Sequence, residues 1–134
     1  MAQTRLPKSK PIIIRRGTVV TPGGARPNHA VLIQGEHIAA VCPDDEVPPT
    51  KTGQVINATG LTVAPGFVDV HVHGGGSYDV MDATPQALAG LSHHLARHGV
   101  TSFVPTTVAA PHDDLLRAIR NVAGVMARPP DGAR

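Results

Sequence analysis

The sequence predicts an α/β chain in two parts, short hairpin strands followed by alternating strands and helices, and three observations carry that reading. Glycine and proline are abundant, 14 and 13 of 134 residues, yet they sit between apolar runs, which suits a turn-rich folded chain. Up to residue 63 the apolar runs are short and β-type. Beyond residue 64 the pattern becomes strand, helix, strand, helix, the order of a parallel sheet with covering helices.

The strand signals of the first part fall at 11–16, 18–21, 30–34 and 37–41, separated by Pro22-Gly23-Gly24 and Gln34-Gly35-Glu36. They read as small antiparallel hairpins. A loop rich in proline and acid (43–52) precedes strands at 54–57 and 61–63. Residues 1–10 are polar and basic and read as a loosely attached tail.

In the second part, alternating residues 67–73 form a strand that runs into Gly74-Gly75-Gly76, read as a hinge giving access above the strand end. Thr84 is a good N-cap, Pro85 suits the first helical position, and Leu88, Leu91 and Leu95 share a stripe that Gly99 terminates. Residues 100–104 form a second strand. Pro111 opens a second helix whose Leu115, Ile119, Val122 and Met126 recur at helical spacing until Pro129-Pro130. Only two strand-helix units fit, whereas a closed barrel of eight takes roughly 250 residues. The sheet is either small and open or part of something larger.

Charge and composition exclude several classes. Residues 1–35 carry six Lys/Arg and no acid, and residues 36–134 carry six basic and ten acidic groups. The basic segment lacks interleaved aromatics, since Phe67, Tyr78 and Phe103 all lie elsewhere, so a solvated tail is favoured over nucleic-acid binding. No apolar run approaches the roughly 20 residues of a membrane helix, and no signal peptide is expected. Cys42 has no partner for an internal disulfide, which suits a reducing cytoplasm.

The sharpest chemical feature is His71-Val72-His73. The two-residue period of a strand points both imidazoles to one face, where one cation could take both, and Asp69 shares that face. Val68, Val70 and Val72 point the other way and are expected to pack beneath helices. The pair sits at the C-terminal end of its strand, where active sites of parallel α/β folds lie. Spacing alone leaves metal binding and a polar lining as equal readings, because zinc sites need three or four protein ligands. His94 and His98 stand four apart on the first helix, a spacing compatible with a metal, but they have no acidic partner and read as surface residues, as do His29, His37, His93 and His112. Thr106 and Thr107 end the second strand on the same rim, where orienting a ligand or water and ordinary β-propensity are equal readings.

The stretch Ala64-Pro65-Gly66-Phe67-Val68-Asp69-Val70-His71-Val72-His73-Gly74 resembles the first barrel strand of the amidohydrolase superfamily. The continuation from Gly75 to Pro85, and His98-Gly99-Val100-Thr101-Ser102-Phe103-Val104-Pro105-Thr106-Thr107, is similar to the N-acetylglucosamine-6-phosphate deacetylase family in particular. The resemblance implies part of a small β-sandwich over residues 11–63 and the first two units of a TIM-type (β/α)8 barrel over 64–134. It implies metal-assisted deacetylation of N-acetylglucosamine 6-phosphate to glucosamine 6-phosphate and acetate, with one or two divalent ions, zinc being expected. His71 and His73 would be first-strand ligands and Asp69 would orient them. In that family these histidines are the variable part of the metal site.

The family's Glu in a His-Leu-Glu-Gly-Pro stretch, two further metal-binding histidines and a late acid/base Asp are not among residues 1–134. The resemblance therefore implies an N-terminal portion of a cytoplasmic homo-oligomeric enzyme, inactive by itself, with a long unpaired sheet edge and marginal stability. The alternatives are a noncatalytic metal- or protein-binding module and a portion of a dihydroorotase- or hydantoinase-like amidohydrolase.

Overall fold

The computed structural model describes residues 10–49 and 52–134. The first nine residues of the basic tail lie outside them. The chain divides at Pro65 and Gly66 into two compact units.

The first unit is built on one sheet. Strands β1 (Ile12–Thr21), β2 (Gly24–Gln34) and β3 (His37–Pro43) form an antiparallel meander, as the turn signals demand. β4 (Gln54–Asn57) and β5 (Thr62–Val63) both pair parallel to β1, giving the order β3-β2-β1-β4 with β5 beside the far half of β1. Ile13, Val19, Ala30, Val31 and Ala58 form its buried core.

β1 is continuous where two strands were expected, and a bulge between Ile14 and Gly17 absorbs Arg15-Arg16. Arg16 takes a left-handed conformation (φ 63°) there. The Asp44 carboxylate holds the bulge: it accepts from Arg15 Nε at 3.1 Å, Arg15 Nη2 at 3.0 Å and the Arg16 backbone N–H at 3.0 Å. The hydrogen bonds from Arg15 hold the Asp44 carboxyl below its ordinary range, and the same pairing raises Arg15.

The second unit follows the expected order, β6 (Phe67–Val72), α1 (Pro85–Arg97), β9 (Val100–Pro105) and α2 (His112–Met126), with β6 and β9 parallel. A small hairpin of β7 (Gly74–Gly75) and β8 (Tyr78–Asp79) lies between β6 and α1. The triglycine run is thus the first strand and the start of the turn of a hairpin, not an open hinge. Gly76 (φ 59°) and Ser77 (φ 69°) are both left-handed, the requirement of a tight two-residue hairpin turn.

The residues after the hairpin start α1 by chained caps. Asp79 accepts from the Met81 N–H at 2.7 Å while Asp82 accepts from the Asp79 N–H at 3.0 Å, closing a single 3-10 turn. Thr84 Oγ1 then caps α1 through the Ala87 N–H. Gly90 lies inside the helix because the Tyr78 ring occupies that side: a Cβ there would stand 2.3 Å from Tyr78 Cζ.

Val80, Leu88, Leu91, Leu95 and Ala133 form the core, with Val72, Val100, Phe103, Val122 and Val125 against it. Two apolar expectations change. Of the three valines on β6 only Val72 joins the core, and Val68 and Val70 are 64% and 71% exposed, because among the described residues no helix covers that part of the strand. The buried side of α2 runs through Ala118, Val122 and Val125, leaving Ile119 and Met126 exposed, since this helix leans on the turn before α1 and on α1 itself.

Residues 131–134 return alongside β9. Ser92, fully buried, donates to the Ala133 carbonyl at 2.6 Å. The Arg134 N–H donates to Thr101 O at 2.9 Å and its carbonyl accepts from the Phe103 N–H at 2.8 Å, the slanted pattern of a parallel ladder. Part of the β9 edge that was expected to stand unpaired is therefore occupied. Among the described residues no helix is long and apolar enough to cross a membrane.

Candidate metal centre

β6 delivers His71 on its last turn of pleat and His73 just beyond its end, so both rings emerge at the C-terminal end of a strand whose partner runs parallel. The rings meet edge to face, with centroids 4.8 Å apart and planes at 89°. Their Nε2 atoms lie 3.1 Å apart.

His73 is the better anchored of the two. Its Nδ1 is 2.9 Å from the backbone carbonyl of Thr106, which can only accept, so Nδ1 carries the proton and the neutral ring presents a bare Nε2. Thr106 is held in turn: its N–H donates to Val72 O at 2.8 Å and its hydroxyl to Val104 O at 3.0 Å. The carbonyl of His73 itself accepts from Val80 N–H at 2.8 Å. A ring nitrogen tied to a backbone carbonyl is the usual support of a metal-ligating histidine, and here the bare His73 Nε2 accepts from the His71 Nε2–H at 3.1 Å.

His71 is exposed, and its ring contact is with His73. Asp69 acts on the backbone here: its Oδ1 accepts from the His71 N–H at 3.1 Å, fixing the strand beneath the ring. The role of Thr106 lies in a main-chain carbonyl, for which no side-chain pattern gives a signal. What could have found it is register, because Thr106 follows β9 where His73 follows β6.

The donor set fits a divalent ion of the zinc type. Two bonds of about 2.0–2.1 Å from nitrogens 3.1 Å apart meet at an angle of about 100°, within the range of zinc coordination. Imidazole nitrogen suits zinc and its first-row neighbours. Two ligands are present, and no group of three or more His, Cys, Asp or Glu converges among the described residues.

His94 and His98 also meet, with ring centroids 4.8 Å apart. His29 Nδ1 lies 2.8 Å from the Pro27 carbonyl in the first unit, a local turn contact. Cys42 is a free, half-buried thiol.

Two parallel strands, each followed by a helix, with a pair of histidines at the C-terminal end of the first strand, lie within the stretch 54–127 that matches the profile of the amidohydrolase family. The chain belongs to that family. Among its relatives, the N-acetylgalactosamine-6-phosphate deacetylase of Escherichia coli O157:H7 is 34% identical over 122 residues, covering 91% of this chain and 30% of that protein. The crystal structure of N-acetyl-D-glucosamine-6-phosphate deacetylase from Mycobacterium smegmatis superimposes with a TM-score of 0.72 at 33% identity, covering 91% of this chain and 34% of that one. The N-acetylglucosamine-6-phosphate deacetylase from Pasteurella multocida gives a TM-score of 0.82 at 21% identity over 92% of this chain and 32% of that one, a likeness of fold. The chain spans about a third of the length of the relatives it matches.

Proposed function

We propose that these residues form the metal-ligating N-terminal part of an amidohydrolase that removes acetate from an N-acetylhexosamine 6-phosphate, N-acetylglucosamine 6-phosphate first among them. In this reading residues 11–63 are part of a small β-sandwich and residues 64–134 the first two strand-helix units of a TIM-type barrel. The observation that carries it is the pair of Nε2 atoms at 3.1 Å on the C-terminal rim, within the stretch that matches the family.

His73 would serve as the preset ligand, its lone pair aimed by Thr106, and His71 as the second, recruited across the short gap between the rings. Asp69 would hold the His71 backbone so that the two rings stay on one face. A divalent ion bound there, with zinc expected, supplies a water acidic enough to ionise near neutral pH and polarises an amide carbonyl. Two imidazoles leave zinc short of its usual four ligands, so the remainder, and the acid/base group, would come from residues outside these 134. A two-ligand contribution serves a centre of one ion or of two. A sugar phosphate is charged and confined to the compartment where it is made, which suits a cytoplasmic enzyme. The exposed Val68, Val70 and Met126 need cover, which suits a larger, homo-oligomeric assembly.

The relative of Escherichia coli O157:H7 carries the galacto name, and this favours the 4-epimer as the second substrate to assay. The test has two parts. Residues 1–134 alone are expected to release no acetate from either phosphorylated sugar in zinc-supplemented buffer, and turnover by them would overturn the two-ligand account. The frame encoded beyond Arg134, or a neighbouring one, is expected to contain a His-Leu-Glu-Gly-Pro-like stretch, and a protein carrying both parts is expected to deacetylate one of the two sugars; inactivity toward both would overturn the assignment.

A further inference from the structure

The C-terminal end of α1 carries a second pair of imidazoles, His94 in the last turn and His98 as the C-cap. The four-residue spacing brings the two rings to one side of the helix end, where they touch. Their ring centroids are 4.8 Å apart with planes at 61°. Among the described residues neither ring makes a hydrogen bond. His94 is also held from outside the helix, because its ring lies against the Gly75-Gly76 backbone: a Cβ at Gly75 would stand 2.9 Å from His94 Cδ2 and one at Gly76 2.7 Å from Nδ1. The hairpin thus fixes one ring before any ligand arrives, which lowers the ordering cost of binding.

We propose that His94 and His98 form a surface site for a divalent transition cation, zinc, copper or nickel, separate from the His71 and His73 pair. Imidazole is a good ligand for these ions, and histidines at i and i+4 on a helix can reach one ion together. An ion bound at about 2.1 Å lies about 3.2 Å from each ring centre, so centres 4.8 Å apart subtend about 100° at a common ion. The remaining positions would be filled by water. His94 itself lines a depression together with His93 and Arg97, a lining that by itself would suit an anion, and His98 lies outside it. The negative end of the α1 dipole at this point favours a cation, and Arg97 is exposed on a long stem free to swing away. A bound ion would bridge the final turn of α1 and oppose its fraying.

The test uses the 134-residue chain with His71→Ala and His73→Ala, which silences the strand pair, and zinc chloride as the probe. Imidazole 15N resonances are followed through the titration. The signals of His94 and His98 are expected to move together and saturate at one equivalent, and His98→Gln is expected to weaken binding by about tenfold or more as the chelate is reduced to one imidazole. In the chain with all histidines present, zinc stoichiometry is expected to fall from two to one with His98→Gln, a readout that does not depend on the double variant folding. Movement of one ring alone, movement of neither, or a response to inorganic phosphate in place of zinc overturns the proposal.

Discussion

The Nδ1 of His73 is tied at 2.9 Å to the backbone carbonyl of Thr106, so the residue after β9 dictates which nitrogen of the histidine after β6 is left bare. The two candidate ligands are therefore unequal. His73 is oriented from both sides, through its ring by Thr106 and through its carbonyl by Val80, whereas the ring of His71 rests on His73.

This asymmetry sets an order of effects. Measured against a chromogenic chelator in the His98→Gln background, His73→Ala is expected to weaken zinc binding more than the 10–100-fold typical of losing an outer-shell partner. His71→Ala is expected to cost less, since the residue it leaves behind is already aimed. Equal losses would mean that the Thr106 contact does not preset the ring.

Gly90 and Tyr78 make a steric pair whose sign can be reversed. Gly90→Ala is expected to destabilise the chain by about 1–3 kcal/mol in denaturant melts, because the new methyl collides with the Tyr78 ring. In a Tyr78→Ala background the same change is expected to stabilise by about 0.5–1 kcal/mol, the helix preference of alanine over glycine. Destabilisation in both backgrounds would place the constraint elsewhere.

Ser92 straps the returning segment to α1. Ser92→Ala leaves the Ala133 carbonyl without its buried donor and is expected to cost about 1–3 kcal/mol. Amide hydrogen exchange at Phe103 and Arg134, whose N–H groups form the short ladder, is expected to accelerate with it. Unchanged protection at both would show that the segment is held without Ser92.

The Arg15–Asp44 contact predicts a pH dependence. The folded Asp44 carboxyl ionises below its unfolded value, so its stabilising share is complete above the unfolded value of about 3.9 and is lost as pH falls through the lower folded value. Asp44→Asn is expected to lower stability at neutral pH and to flatten the acid limb below about pH 4. An acid limb of undiminished slope in the variant would remove Asp44 from that role.

The parts of the molecule written in side-chain chemistry are legible in the sequence. Thr84, Pro85 and Gly99 bracket α1 by capping chemistry, and the alternation from Phe67 to His73 places two imidazoles on one face. The hairpin at 74–79 was read as a hinge because glycines carry no apolar pattern, and pairing was decided by two left-handed residues and by the packing of His94 and Tyr78. The covered side of α2 was rotated toward Ala118 because an amphipathic stripe is wider than its contact, and only the neighbours select which part is buried. Likewise, β-alternation gave Val68 and Val70 their direction, but what lies above them is a tertiary matter.

The central claim is that His71 and His73 act as one ligand pair, and anomalous diffraction at the zinc edge from zinc-soaked crystals tests it by position. The account predicts a peak about 2.0–2.1 Å from Nε2 of both residues, with the His73 Nδ1 contact to Thr106 retained. Zinc-saturated crystals in which both rings are ordered and no peak lies between them would contradict it.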